Sequence, residues 1–366
     1  MQYTTRYDVG DRKRTDGINE DSVAVDVFEQ GHRDGYRAQR SGNGDDGSDT
    51  RAAEGECDAD AETRSAAAFA LADGAGGHAA GDVASYIATT VICEHLAPIA
   101  IRGARSDPVP FGVDAETSIP ETLGAADLQA AVGEAIQAAH RDVLRYAREA
   151  ETEAYTTAVA GICVGGDVHY GWVGDSRAYV VNGARESIEL LTKDHAVVEE
   201  LQDSGDVDDV EARVHPRGHE ITRALGGTGR TDPDGASVDV DTNTVPLYAE
   251  DVLLVASDGL VDAQTDAPRL YDRYVQSGRS DDVADEIRGA VVTDAEIRDH
   301  VLTADSLDEA ASALVELANS RGGKDNLSVL CCHDPTLAPT PEDRPLARAL
   351  DPSDPLEERD TVIISE

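Results

Sequence analysis

Acidic residues stand at four places where an apolar stretch begins or ends: Asn19-Glu20-Asp21, Asp73-Gly74, Asp258-Gly259 and Asp325-Asn326. FALA leads into Asp73 and LLVAS into Asp258, so in both cases a strand-like run closes on an Asp-Gly pair. Carboxylates gathered at buried strand ends repel one another and lose their hydration, which is costly unless something compensates. A divalent cation does so, and an all-oxygen donor set favours Mg²⁺ or Mn²⁺ over zinc. One Asp-Gly pair alone reads as an ordinary turn. Four acidic clusters at strand ends read as a metal centre.

These groups need elements to position them. Residues 67–72 read as a short apolar strand, and residues 79–97 as a helix with Val83, Ile87, Val91 and Ile92 at helical spacing. Leu128, Val132, Ile136, Val143 and Leu144 mark a second long helix. Strands are predicted over 156–164, 168–173 and 177–181, the last two flanking a tight turn at Gly174-Asp175-Ser176. Residues 252–256 form a wholly apolar strand, 306–319 an amphipathic helix and 327–332 a last strand. Strands and helices in blocks favour central sheets with helix layers outside. Trp172, the sole tryptophan, reads as packing between strands.

Eight segments carry a resemblance: VGDRKRTDGINEDS, FALADGAGGHAAGDVAS, TTAVAGICV, GWVGDSRAYVV, LTKDH, ITRALGG, DVLLVASDGLVDA and GGKDNLSVL. In this order they resemble the metal-dependent protein phosphatases of type 2C, the PPM family, and they cover almost all of residues 7–330. The resemblance implies an α+β fold, a four-layer αββα sandwich of two central, mostly antiparallel sheets flanked by helices. It implies hydrolysis of phosphoserine and phosphothreonine monoesters on phosphorylated proteins, with a cognate serine/threonine kinase as partner. By position, Asp73 would bridge two Mn²⁺ or Mg²⁺ ions, and Gly74 would offer its backbone carbonyl to one of them. Asp258 and Asp325 would hold the other, while Glu20 and Asp21 orient metal-bound waters. Asp175 falls where family members bind a third, weaker metal. An arginine of the first motif would grip the substrate phosphate, Arg14 in preference to Arg12. Residues 192–195 and 221–227 would border the flap that shapes substrate access.

The implied chemistry needs no Ser or Cys nucleophile. A water bridging two cations loses a proton near neutral pH and attacks phosphorus in line. A guanidinium holds phosphate by two parallel hydrogen bonds, and the leaving alkoxide needs a proton. Three departures from the family pattern stand out. Arg14 lies two residues further from Asn19 than the usual spacing. Ala75 stands where some members carry a histidine as proton donor, which leaves His78 or a water for that part. Tyr155 replaces a glycine before the Thr156-Thr157 pair.

Two other readings compete. Residues 74–79 fit GxGxxA between a strand and a helix, as in a dinucleotide site. Against this, Asp73 sets a carboxylate beside the pyrophosphate position, and no acid-ended strand follows about 20 residues later. The second is a non-catalytic, phosphoprotein-binding module on the same fold, and intact metal positions favour catalysis over it. His215 and His219 have ligand-like spacing but read as part of a flap loop.

Composition narrows the partners. With 73 acidic residues against 31 basic ones, the net charge is −42, which opposes binding to a nucleic-acid backbone or an anionic membrane. Scattered acid with few lysines suits a cytosol of very high salt, where the screening length falls to about 3 Å. Five cysteines, with no CxxC pair, argue against a disulfide scaffold or structural zinc and for a reducing interior. Residues 1–10 are polar, and no apolar run approaches the ~20 residues of a membrane helix. A soluble, cytoplasmic monomer is expected. Aromatics are only 4% of the chain, so the core must be built from Ala, Val, Ile and Leu. Residues of about 30–66 read as a disordered acidic insertion and 335–366 as a disordered C-terminal tail, leaving 1–334 as the catalytic domain.

Overall fold

A computed structural model describes residues 1–11, 17–29, 32–37, 49–51, 65–75, 80–103, 123–264, 266–342 and 346. Two six-stranded sheets, antiparallel at every pairing, stack face to face. The first runs Ser187–Leu190, Arg177–Asn182, Asp251–Ala256, Leu327–His333, Gln2–Asp8, Asp49–Arg51. The second runs Asp241–Pro246, Asp167–Val173, Ala158–Val164, Ala66–Ala72, Ser22–Glu29, His32–Arg37. A small three-stranded sheet of Leu225–Thr228, Glu153–Thr156 and Gly74–Ala75 lies beside them.

The period-two pattern of a strand explains the layering. In Ala66–Ala72, the side chains of Ala67, Phe69 and Leu71 enter the core between the sheets. Those of Ala66, Ala68, Ala70 and Ala72 face outward into a second core, which holds Ala84, Ala88, Ile92 and Leu96 of the helix Gly81–Gly103 and Val132, Ile136 and Val143 of the helix Ala125–Glu149. The helices Asp294–Thr303 and Leu307–Arg321 cover the other sheet, burying Ile297, Val301 and Leu314 against Tyr179, Leu254 and Val329. The expected αββα sandwich is therefore the observed one. Helices Ala267–Gln276 and Asp281–Ala290 form a satellite cluster around Leu270, Tyr274 and Ile287.

Several expectations are corrected. The acidic stretch about 30–66 is not irregular throughout: His32–Arg37 and Asp49–Arg51 add an edge strand to each sheet, and Ala66 begins a fully buried strand. The rest of that stretch, 38–48 and 52–64, lies outside the described residues. The strand over 156–164 is two strands in two sheets, broken at Thr157. The segment after Pro335 is packed as far as Glu342: Leu337 touches the inter-sheet core, Ala249 N donates to Ala338 O at 2.9 Å, and Thr340 N donates to Glu250 at 2.7 Å. Residues 347–366 lie outside the described ones. The stretch Gly81–Arg102 has the length and hydropathy of a membrane span, and half of it is buried here as a core helix.

Four alanines on the outward face of Ala66–Ala72 let the helix Gly81–Gly103 pack closely, so added volume has nowhere to go. Ala88→Leu, at a fully buried position, is expected to destabilise the protein by about 1–3 kcal/mol. Chemical denaturation in molar salt measures it.

Candidate active site

The site is assembled where strand ends from both sheets meet. Asp73 follows Ala66–Ala72, and its backbone is fixed on both sides. Asp73 N donates to Thr157 Oγ1 at 2.9 Å, while Thr156 Oγ1 and Thr157 N both donate to Asp73 O at 2.8 Å. Thr157 Oγ1 also bonds Ser176 Oγ at 2.7 Å, which ties Asp73 to the turn carrying Asp175. Gly74 N donates to Glu20 O at 3.2 Å, and a Cβ at Gly74 would lie 2.2 Å from Gly81 O. Only glycine allows the chain to pass there. Gly259 is equally constrained, since a Cβ would meet Asn326 O at 1.9 Å. The Asp-Gly pairs that signalled turns in the sequence are thus close backbone crossings.

Polar cross-links hold the two sheets in register at this end. Asn326 Oδ1 accepts from Glu20 N at 3.0 Å, and Asn326 Nδ2 donates to Val9 O at 3.2 Å. Ser257 Oγ donates to Asp21 Oδ2 at 2.8 Å and accepts from Ser328 N at 2.9 Å. Asp21, from the second sheet, is so attached to strands Asp251–Ala256 and Leu327–His333 of the first.

Asp73, Asp175, Asp258 and Asp325 line one cleft, together with Lys324 and His219. Ala75, Thr156, Thr157 and Ile221 complete its wall. Four of the expected metal residues are thereby brought together. Gly74 follows Asp73 in the chain, and Glu20 and Asp21 are tied to the same segments through Asn326 and Ser257. Arg14, Arg12 and His78 lie outside the described residues. Lys324 was not singled out for chemistry from sequence, and His219 was read as part of a flap loop despite its ligand-like spacing. Lys324 sits inside the GGKDN motif beside Asp325, and that adjacency is the signal that could have found it.

The electrostatics are those of crowded carboxylates. Burial raises the Asp73 carboxyl well above the ordinary range, and Asp21, Asp258, Asp325 and Asp175 push it further. Burial lifts Asp21 to about 6, opposed by hydrogen bonds from Ser257 and Ser328 and reinforced by Asp325. Burial, then Asp194, lifts Asp175 to about 7, with Arg177 opposing. Like charges this close cannot all ionise without a counter-cation.

The residues fit divalent cations. The donors are oxygens, and Asp21 Oδ1 is buried without a hydrogen-bond partner. Among the described residues no three His, Cys, Asp or Glu side chains are already closed around one point. Oxygen donors of this kind are the ones Mg²⁺ and Mn²⁺ take, each ion keeping several waters beside one or two carboxylates.

His195, buried next to the turn that carries Asp175, ties that turn to the flap. Its Nδ1 accepts from Gly174 N at 3.1 Å, and its backbone N donates to Gly174 O at 3.0 Å. Nε2 lies 2.9 Å from Asp241 Oδ2 and 3.0 Å from Arg223 Nη1, which also pairs with Asp241. Burial holds this imidazole below its usual pKa, with the Asp241 carboxylate opposing. His195 O accepts from Thr222 N at 2.7 Å, which anchors the flap segment. Trp172 stacks on His195 with ring centroids 6.0 Å apart and donates Nε1–H to Lys193 O at 2.8 Å. Its packing role is as expected. His215 meets Tyr271 edge-on at 5.3 Å, in the flap loop, while His219 reaches the cleft.

Comparison with known proteins places this geometry. A family model described as Protein phosphatase 2C matches residues 51–291. The serine/threonine phosphatase stp of Listeria welshimeri serovar 6b is 31% identical over 263 residues, 71% of this chain and 81% of that protein. Protein phosphatase PhpP of Streptococcus pneumoniae serotype 2 is 31% identical over 160 residues, 44% of this chain and 50% of that one. Among solved structures, Mycobacterium tuberculosis PstP/Ppp is similar with a TM-score of 0.56 and 26% identity, over 90% of this chain and 98% of that one. The catalytic domain of PstP in complex with 2 manganese ions is similar with a TM-score of 0.52 and 25% identity, over 90% and 96% of the two chains.

The raised carboxyls give a pH dependence of stability with a definite sign. A carboxyl whose folded-state pKa exceeds its unfolded value stabilises below the unfolded value and loses that contribution as pH rises through the folded one. For Asp21 and Asp175 the window runs from the ordinary carboxyl value of 3.8 to about 6 and about 7 respectively. In chelator, the melting temperature should fall between pH 5 and pH 8, and Mn²⁺ should restore it. Asp21→Asn should raise metal-free stability at pH 8 by about 1–3 kcal/mol and abolish part of the Mn²⁺ response. Thermal melts of both proteins, with chelator and with Mn²⁺, read both effects.

Proposed function

This chain belongs to the protein phosphatase 2C family, and we propose that it is a metal-dependent phosphatase that hydrolyses phosphoserine and phosphothreonine on proteins. The observation that carries the reading is the single cleft lined by Asp73, Asp175, Asp258 and Asp325. We assign Asp73, the Gly74 carbonyl, Asp258 and Asp325 to two Mn²⁺ or Mg²⁺ ions, and Asp175 to a third, weaker one. Ions held there would supply a nucleophilic water at neutral pH and would offset charge on the phosphoryl oxygens.

The chain's own residues do the remainder. Thr156 and Thr157 fix the Asp73 backbone, so its carboxylate needs no reorganisation when substrate arrives. Asp21, held by Ser257, and Glu20, held through its backbone by Asn326, would orient waters at the metals. The two sheets cannot slide without breaking these bonds. Arg14 is our assignment for the guanidinium that grips the phosphate. The His195 anchor sets the flap segment at the mouth, where Ile221 and His219 meet the substrate. The wider setting is part of the same reading: a cytoplasmic monomer in a high-salt cell, acting on proteins phosphorylated by a cognate serine/threonine kinase.

Phosphate release from a phosphothreonine peptide, in molar KCl with Mn²⁺, tests the proposal. Activity should vanish in EDTA. Asp258→Asn should lower kcat by ~10²-fold or more, the scale on which loss of one electrostatic stabiliser of a transition state acts. A folded protein that releases no phosphate with Mn²⁺ or Mg²⁺ across the salt range sinks the enzyme reading in favour of a phosphoprotein-binding module.

A further inference from the structure

The cleft that is lined by four aspartates contains one lysine. The chain has only three lysines, Lys13, Lys193 and Lys324, against many more arginines. Lys193 lies in the flap region, pairing with Asp203 at 2.7 Å and Glu199 at 3.6 Å. Lys324 is the lysine on the cleft wall. Its backbone is pinned by donation from Lys324 N to Ala263 O at 3.0 Å, and its Nζ donates to Asp262 Oδ2 at 2.6 Å. Asp262 belongs to the loop following Asp258, so the pair bridges the two segments that carry Asp258 and Asp325.

The chemistry of that position is specific. An ammonium has three donors in a compact head, and Asp262 takes one. The side chain is 24% exposed, so it is anchored yet open to the cleft. A dianionic phosphomonoester entering among Asp73, Asp175, Asp258 and Asp325 meets repulsion from every carboxylate that the metals do not neutralise. A fixed positive charge on the wall offsets this locally, and a lysine does so as a point charge that needs no bidentate alignment.

We propose that Lys324 is a phosphoryl-binding residue, its Nζ donating to a non-bridging oxygen of the substrate phosphate while Asp262 holds it in place. This rests on the phosphatase reading above. Its ligand is the phosphoryl group itself, so the effect is shared by a phosphothreonine peptide, p-nitrophenyl phosphate and inorganic phosphate.

The test compares the wild-type protein, K324Q and the double variant K324Q/D262N in saturating Mn²⁺. In both variants KM for the peptide and for p-nitrophenyl phosphate should rise about tenfold or more, and the inhibition constant of inorganic phosphate should rise in step. The Mn²⁺ concentration for half-maximal activation should not move in parallel. The thermal shift that inorganic phosphate gives to the Mn²⁺-loaded protein should shrink in both variants, a readout that needs no turnover. If the double variant regains wild-type KM and phosphate inhibition, Lys324 only neutralises Asp262 and the proposal is overturned. The same holds if K324Q changes the Mn²⁺ requirement alone, or changes nothing. Wild-type protein inert in this assay refutes the phosphatase reading itself, a separate result from an active wild type with an unaltered K324Q.

Discussion

Repulsion among buried carboxylates is the constraint on which this structure turns. Asp21, Asp73, Asp175, Asp258 and Asp325 come from five separated segments, and each raises the energy of its neighbours when ionised. Such a cluster would spread apart if its backbone were free to move. It is not: the Asp73 carbonyl accepts two hydrogen bonds, Asn326 reaches both Glu20 and Val9, and Ser257 bonds Asp21 and Ser328. The frame keeps charges together that a flexible loop would let escape. This is how a protein stores affinity for a divalent ion before the ion arrives.

The frame depends in turn on layers of small residues. With few aromatics, the chain fills the space between its sheets with Val, Leu and a handful of rings such as Phe69, Tyr170 and Trp172. Outside, alanines let helices lie close. A helix Gly81–Gly103 displaced outward would carry Ser85 away from Glu20 O, to which it donates at 2.5 Å, and so loosen the backbone at Glu20. Packing and electrostatics are coupled through that contact.

Much of this was legible in the sequence because the informative residues are chemically extreme. A single Asp-Gly after an apolar run reads as a turn, but four acidic clusters at strand ends, in order, have few explanations. The apolar strands at Ala66–Ala72 and Asp251–Ala256 stood out for the same reason. Strand Gln2–Asp8 did not, since QYTTRYD alternates nothing: Tyr3, Thr4 and Thr5 are all buried, because both faces of a middle strand are covered. His32–Arg37 was hidden by its charge, which is what an edge strand carries to discourage pairing with other chains. The tail-like composition after Pro335 concealed contacts made through backbone carbonyls, such as Ala338 O, that no side-chain pattern reports. His219 was ambiguous for a different reason: its loop is placed in the cleft by the hydrogen bonds of His195, a residue on another segment.

The pairing of Gln2–Asp8 with Leu327–His333 bears on how the molecule comes into being. The strand Gln2–Asp8 pairs with one more than three hundred positions later, and Glu20 N finds Asn326 only across an interval of 306 residues. Contacts of such long range close late, because the intervening chain must be ordered first. A partly synthesised chain holds Asp73 and Asp175 but neither Asp325 nor the strand that aligns it. The cleft therefore comes into existence together with the completed first sheet. A chain lacking Leu327–His333 has no such centre, so the architecture keeps the chemistry silent until that strand has been made.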